Sequence, residues 1–196
     1  MKAITLQTDP KAPALALAEF PMPDPAADGK VLVKVLEVGL DGTDKELIRH
    51  RDAVQTTERG NLILGHELLG EVVSVPPGSR LKPGGKVTAL VRRPCPDPGC
   101  EPCRGGRQDF CVTGKFAERG IGLADGFLTE YIVEEERYLV PVPEQLADVG
   151  VLIEPQSIVE KAITAIHAHN ARTGHRPRTA LVLGAGPLGV LAALTS

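Results

Sequence analysis

The sequence predicts a mixed α/β chain: a partly open β-barrel leading into the first strand, turn and helix of a second α/β unit. Three observations predict this. Short apolar runs bounded by Gly, Pro or Asp fill the chain up to about residue 145. Helical spacing takes over after Pro155. A glycine turn then sits between an apolar run and a helix start.

The β-like runs are KAITL (2–6), KVLVKVLEVGL (30–40), HELLGEVVSV (66–75), KVTALV (86–91), LTEYIV (128–133) and YLVPV (138–142). Beyond Pro155, SIVEKAITAIHAH puts Ile158, Ala162, Ile163, Ile166 and His169 on one helical stripe. The polar joint NARTGHRPR follows, and TALVLGAGPLGVLAALTS reads as a buried strand, a turn and a helix start. The expected organisation is a β domain over 1–154 with a cysteine lobe at 94–112, a helix and joint over 155–178, and the start of a nucleotide-binding unit over 179–196. The acidic or basic residue that selects the dinucleotide lies about 20 residues past such a turn. That position falls beyond Ser196, so the sequence reads as part of a longer protein.

Composition sets the class. Hydrophobic residues make up 42% and charged residues 24%, as in soluble globular proteins. With 21 Gly, 17 Pro and 3% aromatics, a loop-rich β fold is favoured over a helical bundle. A net charge of −3 gives no reason to expect nucleic acid or an anionic membrane as partner. Asp9 and Pro10 precede any apolar run, so no signal peptide is expected, and no stretch approaches the ~20 apolar residues of a membrane span. A cytoplasmic location follows as the expectation.

All four cysteines, Cys95, Cys100, Cys103 and Cys111, lie in one short window rich in Pro and Gly. Four soft ligands this close suit one tetrahedral Zn²⁺, which would be closed and structural. A pair of disulfides is the alternative, and a reducing compartment disfavours it. In the glycine turn, Gly184, Gly186 and Gly189 form G-x-G-x-x-G between strand and helix, the context in which backbone approaches a pyrophosphate. A plain small-residue turn is the alternative there. Asp41, His66, Glu67 and Glu154 each abut a β-like run or a turn and form a possible oxygen and imidazole ligand set. From the residues alone, a turn at Asp41-Gly42, a satisfied histidine at 66 and a solvated helix start at Glu154 are the favoured reading.

The order Asp41-x-Thr43, Gly65-His66-Glu67, a four-cysteine lobe, Glu154-Pro155 and Gly184-x-Gly186-x-x-Gly189 resembles the medium-chain zinc-dependent alcohol dehydrogenases. GTDKEL, FAERGI and EPQSIVEKA resemble their glucose dehydrogenase branch, and the resemblance covers essentially the whole chain. It implies a GroES-like catalytic domain followed by a Rossmann domain that binds NAD(P), with a catalytic and a structural zinc. By position it implies catalytic zinc at Asp41, His66, Glu67 and Glu154, and structural zinc at the four cysteines. Thr43 would start the proton relay, and Asp44 would orient the ligand histidine. Glu118 and Glu154 would bind sugar hydroxyls, and Gly184, Gly186, Pro187, Leu188 and Gly189 the cofactor.

The sequence departs from the family at three points. Asp41 replaces the usual cysteine ligand, Glu46 replaces a relay histidine, and the first cysteine gap is four residues where two are usual. The activity implied is hydride transfer from the anomeric carbon of an aldose, D-glucose giving gluconolactone, to NAD(P)⁺. Another polyol or alcohol dehydrogenase, a non-catalytic zinc-binding β-domain and a zinc hydrolase are the alternatives. The glycine turn speaks against the hydrolase. The partners expected are a small sugar or polyol and, for the full-length protein, further copies in a homodimer or homotetramer.

Overall fold

The structure, a computed structural model, describes residues 1–25 and 29–196. It divides into two compact units, Met1–Val151 and Leu152–Ser196. Within the first, β1 (Lys2–Gln7) lies between β2 (Leu15–Glu19) and β4 (Asn61–Ile63) in one antiparallel sheet. A five-stranded antiparallel sheet joins β3 (Val31–Gly39), β5 (Glu67–Ser74), β6 (Lys86–Ala89), β10 (Tyr131–Glu134) and β11 (Leu139–Val142) in the order β10-β3-β5-β6-β11. β10 and β11 end this sheet as edges, so among the described residues the barrel is open. A third, small sheet holds β7 (Arg92–Arg93), β8 (Ala117–Arg119) and β9 (Leu123–Ala124).

The β-branched and leucine positions explain the large sheet. Val31, Val33, Leu68, Val72, Val87, Phe127, Ile132 and Leu139 close one core, and Lys34 faces outward between Val33 and Val35. β3 pairs with β5 through register shifts at Leu32/Val33 and Val35/Glu37, which let the long strand curve. A second cluster, Leu6, Leu62 and Leu64, takes Leu47 and Ile48 from the helix α1 (Gly42–Arg49). The six expected runs all contain strands. β2, β4, β7, β8, β9, α1 and the short helix α2 (Glu101–Arg104) are additional.

In the second unit α3 (Ile153–Thr173) ends at Gly174, whose φ of 72° is the left-handed helix stop. α4 (Pro187–Thr195) begins with proline in its first turn, and Gln156 Nε2 of α3 donates to Thr195 Oγ1 at 2.9 Å. Two expectations are corrected here. Leu181–Leu183 is not a buried strand: Leu181 and Leu183 are 84% and 88% exposed, because no strand among the described residues pairs with them. The stripe on α3 is also displaced. Val159 is buried, whereas Ile158 and Ile166 are about half exposed. The buried residues of the helix, Pro155 and Val159, lie near its N-terminal end.

Candidate metal centres and substrate pocket

α1 starts where it does because Asp41 caps it. The carboxylate accepts the Thr43 and Asp44 N–H groups at 2.7 and 3.4 Å, and Asp44 Oδ2 accepts the Asp41 N–H at 3.1 Å, a reciprocal capping box. The Thr43 hydroxyl donates to Asp41 Oδ2 at 3.2 Å. Asp44 is buried and also accepts the Gly65 N–H at 3.3 Å, which fixes the residue before His66. His66 is buried between the two aspartates. Its Nε2 lies 3.9 Å from Asp41 Oδ1, and its Nδ1 lies 4.0 Å from Asp44 Oδ2 with no hydrogen-bond partner.

Both separations exceed a hydrogen bond, and the one from Nε2 to Asp41 approaches the roughly 3.3 Å between ligand atoms around a tetrahedral zinc with bonds of about 2.0–2.1 Å. Asp41, Asp44 and His66 present donor atoms within 4.8 Å of one another. Glu67 follows His66 on β5, opposite Gly39 of β3. A Cβ at Gly39 would fall 1.8 Å from Glu67 Oε2, so glycine is what lets this carboxylate fold back along β3. Burial pushes the Glu67 carboxyl above the ordinary carboxylate value. Asp41 and Asp44 add to the rise, and His66 opposes it. A buried imidazole whose Nε2 faces the Asp41 carboxylate, with further carboxylates crowded beside it, is a donor set that fits a divalent cation of the zinc type. Glu154 stands in the first turn of α3, in the second unit.

Thr43 and Glu118 line one groove of about 410 Å³, together with Leu47, Val54, Gln55 and Ile121. Glu118 sits in a tight hook. Its N–H donates to Gly122 O at 2.9 Å, and its carbonyl accepts from Ile121 and Gly122 at 3.1 and 3.0 Å. Leu123 completes the hook at φ 64°, the only non-glycine residue in the left-handed region among those described. The His66 segment and the Glu118 hook meet main chain to main chain at three glycines. A Cβ on Gly126 would fall 2.3 Å from Gly65 O and 2.4 Å from Leu64 O, and one on Gly120 would fall 2.3 Å from Gly65 O. Phe127 N–H seals this contact on Gly65 O at 2.8 Å.

The four cysteines converge, unpaired, with Cys95, Cys100 and Cys103 buried. The long first gap folds back on itself, because Asp97 accepts the Gly99 N–H on its side chain and the Cys100 N–H on its carbonyl. Cys100 and Cys111 Sγ stand 3.9 Å apart, close to the roughly 3.8 Å edge of a ZnS₄ tetrahedron with 2.3 Å bonds. Contact with Thr113 brings the Cys111 thiol down to about 6, and all four Sγ atoms lie within 4.8 Å of one another. The donor set fits a closed zinc site.

In the glycine turn, Gly184 takes φ 117° and a Cβ at Gly189 would meet Gly184 O at 2.1 Å. The first and last glycines of that motif therefore touch, as a turn feeding a helix N-terminus requires. The sequence reading missed four charged residues. Arg92 lies opposite Glu118 in the β7–β8 pair. Arg93 and Arg119 converge on Glu134 Oε2 at 2.6 and 2.8 Å, and all three side chains are largely buried. Their only sequence signal is the doubled arginine of VRRP, which has no period to announce it.

An open antiparallel barrel that carries a capped Asp-His pocket and a cysteine lobe defines a GroES-like alcohol dehydrogenase domain. Residues 27–144 match the alcohol dehydrogenase GroES-like domain, and the chain belongs to that family. Residues 147–196 match the glucose dehydrogenase C-terminus. The chain is 43% identical over 195 residues to glucose 1-dehydrogenase of Methanocella arvoryzae, which covers 99% of this chain and 54% of that protein. It is 42% identical over 199 residues to that of Thermoproteus tenax, with the same coverage. The crystal structure of Haloferax mediterranei glucose dehydrogenase in complex with NADP, Zn and gluconolactone superposes with a TM-score of 0.83 at 39% identity, covering 97% of this chain and 52% of that one. The chain thus spans about half the length of the relatives it matches. No helix among the described residues is long and apolar enough to cross a membrane.

Proposed function

We propose that this chain is the catalytic half of a zinc-dependent glucose 1-dehydrogenase that uses NAD(P)⁺. The observation that carries the reading is the shared groove of Thr43 and Glu118, set beside Asp41 and His66. A zinc held by Asp41, His66 and Glu67 would acidify the anomeric hydroxyl. Thr43, whose hydroxyl is already in a chain with Asp41, takes up the hydroxyl proton and passes it outward. Asp44, whose Oδ2 stands 4.0 Å from the other ring nitrogen, would orient His66. Glu118 accepts sugar hydroxyls, and a small aliphatic alcohol would leave that carboxylate unpaired.

The balanced outcome is a lactone, a reduced nicotinamide and one proton. Gly184–Gly189 would receive the dinucleotide pyrophosphate. Glu154 is implied as a ligand by the family resemblance, and the zinc content of the full-length Glu154→Gln variant tests its place among the ligands. Unpaired thiols suit a reducing, cytoplasmic setting. The deciding experiment assays the full-length protein with D-glucose, sorbitol and ethanol against NAD⁺ and NADP⁺. Glucose is expected to give the highest kcat/KM, and a preference for ethanol would overturn the sugar assignment.

A further inference from the structure

We propose that Arg92 is a positioning residue for substrate recognition: it fixes the Glu118 carboxylate and makes the cysteine lobe part of the sugar site. This rests on the reading of Glu118 as the sugar-binding carboxylate. The two residues are directly opposed across β7 and β8. Arg92 Nε and Nη2 both donate to the same oxygen, Glu118 Oε1, at 2.9 and 2.8 Å. Neither bond uses Oε2, which leaves that oxygen as the acceptor for hydroxyl groups in the groove that Glu118 lines.

The main chain of Glu118 is already held on both sides by its hook, so the remaining freedom is in its side-chain torsions. Arg92 removes that freedom. A carboxylate set in advance binds a polyol without the cost of ordering it first.

Arg92 is itself held by the Phe116 ring and by two residues of the lobe. Its guanidinium lies 4.2 Å from the Phe116 ring centroid, and its Nη1 is 3.5 Å from Asp109 Oδ1. Gln108 Nε2 donates to the Arg92 carbonyl at 3.3 Å. Gln108 and Asp109 belong to the short turn between Cys103 and Cys111. The lobe that closes on the cysteines therefore sets the guanidinium that sets Glu118. A lysine could not reproduce this, because the contact needs two N–H groups of a planar fork together with stacking on a ring.

The test is a double-mutant cycle on the full-length enzyme with Arg92→Met, Glu118→Gln and the pair, reading KM and kcat for glucose separately. Arg92→Met is expected to raise KM about tenfold with kcat within about twofold, since it removes binding shared by ground and transition states. In the Glu118→Gln background the same change is expected to add less than about twofold, because Arg92 acts through Glu118. An equal KM increase in both backgrounds would show a merely structural role and overturn the proposal. If Glu118→Gln raises KM and Arg92→Met does not, the sugar site stands and the positioning role falls. If Glu118→Gln leaves KM unchanged, the reading of Glu118 falls and the proposal with it. Arg92→Lys, which keeps the charge and the stem, serves where Arg92→Met does not fold, with a several-fold rise in KM as the supporting result and an unchanged KM as the overturning one.

Discussion

Replacing Glu134 by Gln tests the arrangement that holds the third sheet to the large one. Glu134 is 5% exposed and ends β10. Its Oε2 accepts from Arg93 and Arg119, and its Oε1 accepts the Glu135 N–H at 2.9 Å. Arg119 is enclosed beside the Phe127 ring, 4.9 Å from its centroid, and its Nε has no hydrogen-bond partner. Burial draws the Arg119 guanidinium below its ordinary pKa, Glu134 opposes that, and Arg93 adds to it. Glutamine keeps the shape and one oxygen but leaves two buried guanidiniums facing each other. Removing one partner of a buried ion pair costs about 3–5 kcal/mol, and the retained oxygen places this change near the lower end. At about 2–4 °C per kcal/mol for a chain of this size, the melting temperature should fall by about 6–12 °C. Thermal unfolding followed by circular dichroism measures it, and 1 M salt should not abolish the loss, because buried charges are poorly screened. Replacing all three residues with apolar ones of similar volume (Arg93→Met, Glu134→Leu, Arg119→Met) should recover most of the stability. A shift below about 2 °C for Glu134→Gln would refute the reasoning and make the triad energetically idle.

Other outcomes follow from the same geometry. Asp41→Asn should keep the helix cap, so that the metal-free protein melts within about 1–2 °C of the parent, while Asp41→Ala loses about 1 kcal/mol of capping; in both, zinc analysis should show weaker retention at the Asp-His site. Gly126→Ala drives a methyl into the backbone of Gly65 and Leu64, where no side chain can yield, and should cost about 3 kcal/mol in urea unfolding. Glu136 has its carboxyl held below the ordinary 4.5 by Ser79 and then Arg80. Its contribution is therefore full above the unfolded pKa and is lost as pH falls through the lower folded value. Glu136→Gln should flatten that acid limb of the melting curve and leave the neutral region nearly unchanged.

The large sheet was legible because its strands are written in Val, Ile and Leu with turn residues between them, and burial needs little else. α1 was not legible. Its first residues, Asp41 to Asp44, carry the signals of a cap and of a ligand at once, and the structure uses them for the cap while holding them beside His66. β7 and β9 are two residues long, too short for any period to register. The apolar run at 181–183 looked like a buried strand, but a strand is made by its neighbour, and a pattern in one segment carries no information about the neighbour. The cysteine cluster could be anticipated from residue type and spacing, whereas Asp41, Asp44 and His66 stood out only through the resemblance to the family. The link from Arg92 to Glu118 could not, since it depends on which charged residues face each other across a short strand pair.

The glycine contact that joins residue 65 to residues 120 and 126 has an evolutionary consequence. Because peptide groups in direct contact help set the distance between the histidine segment and the carboxylate hook, much of the surrounding core can drift in sequence without moving one relative to the other. Variation should accumulate freely in the packing around this joint and stop abruptly at three positions where even one methyl group is too many.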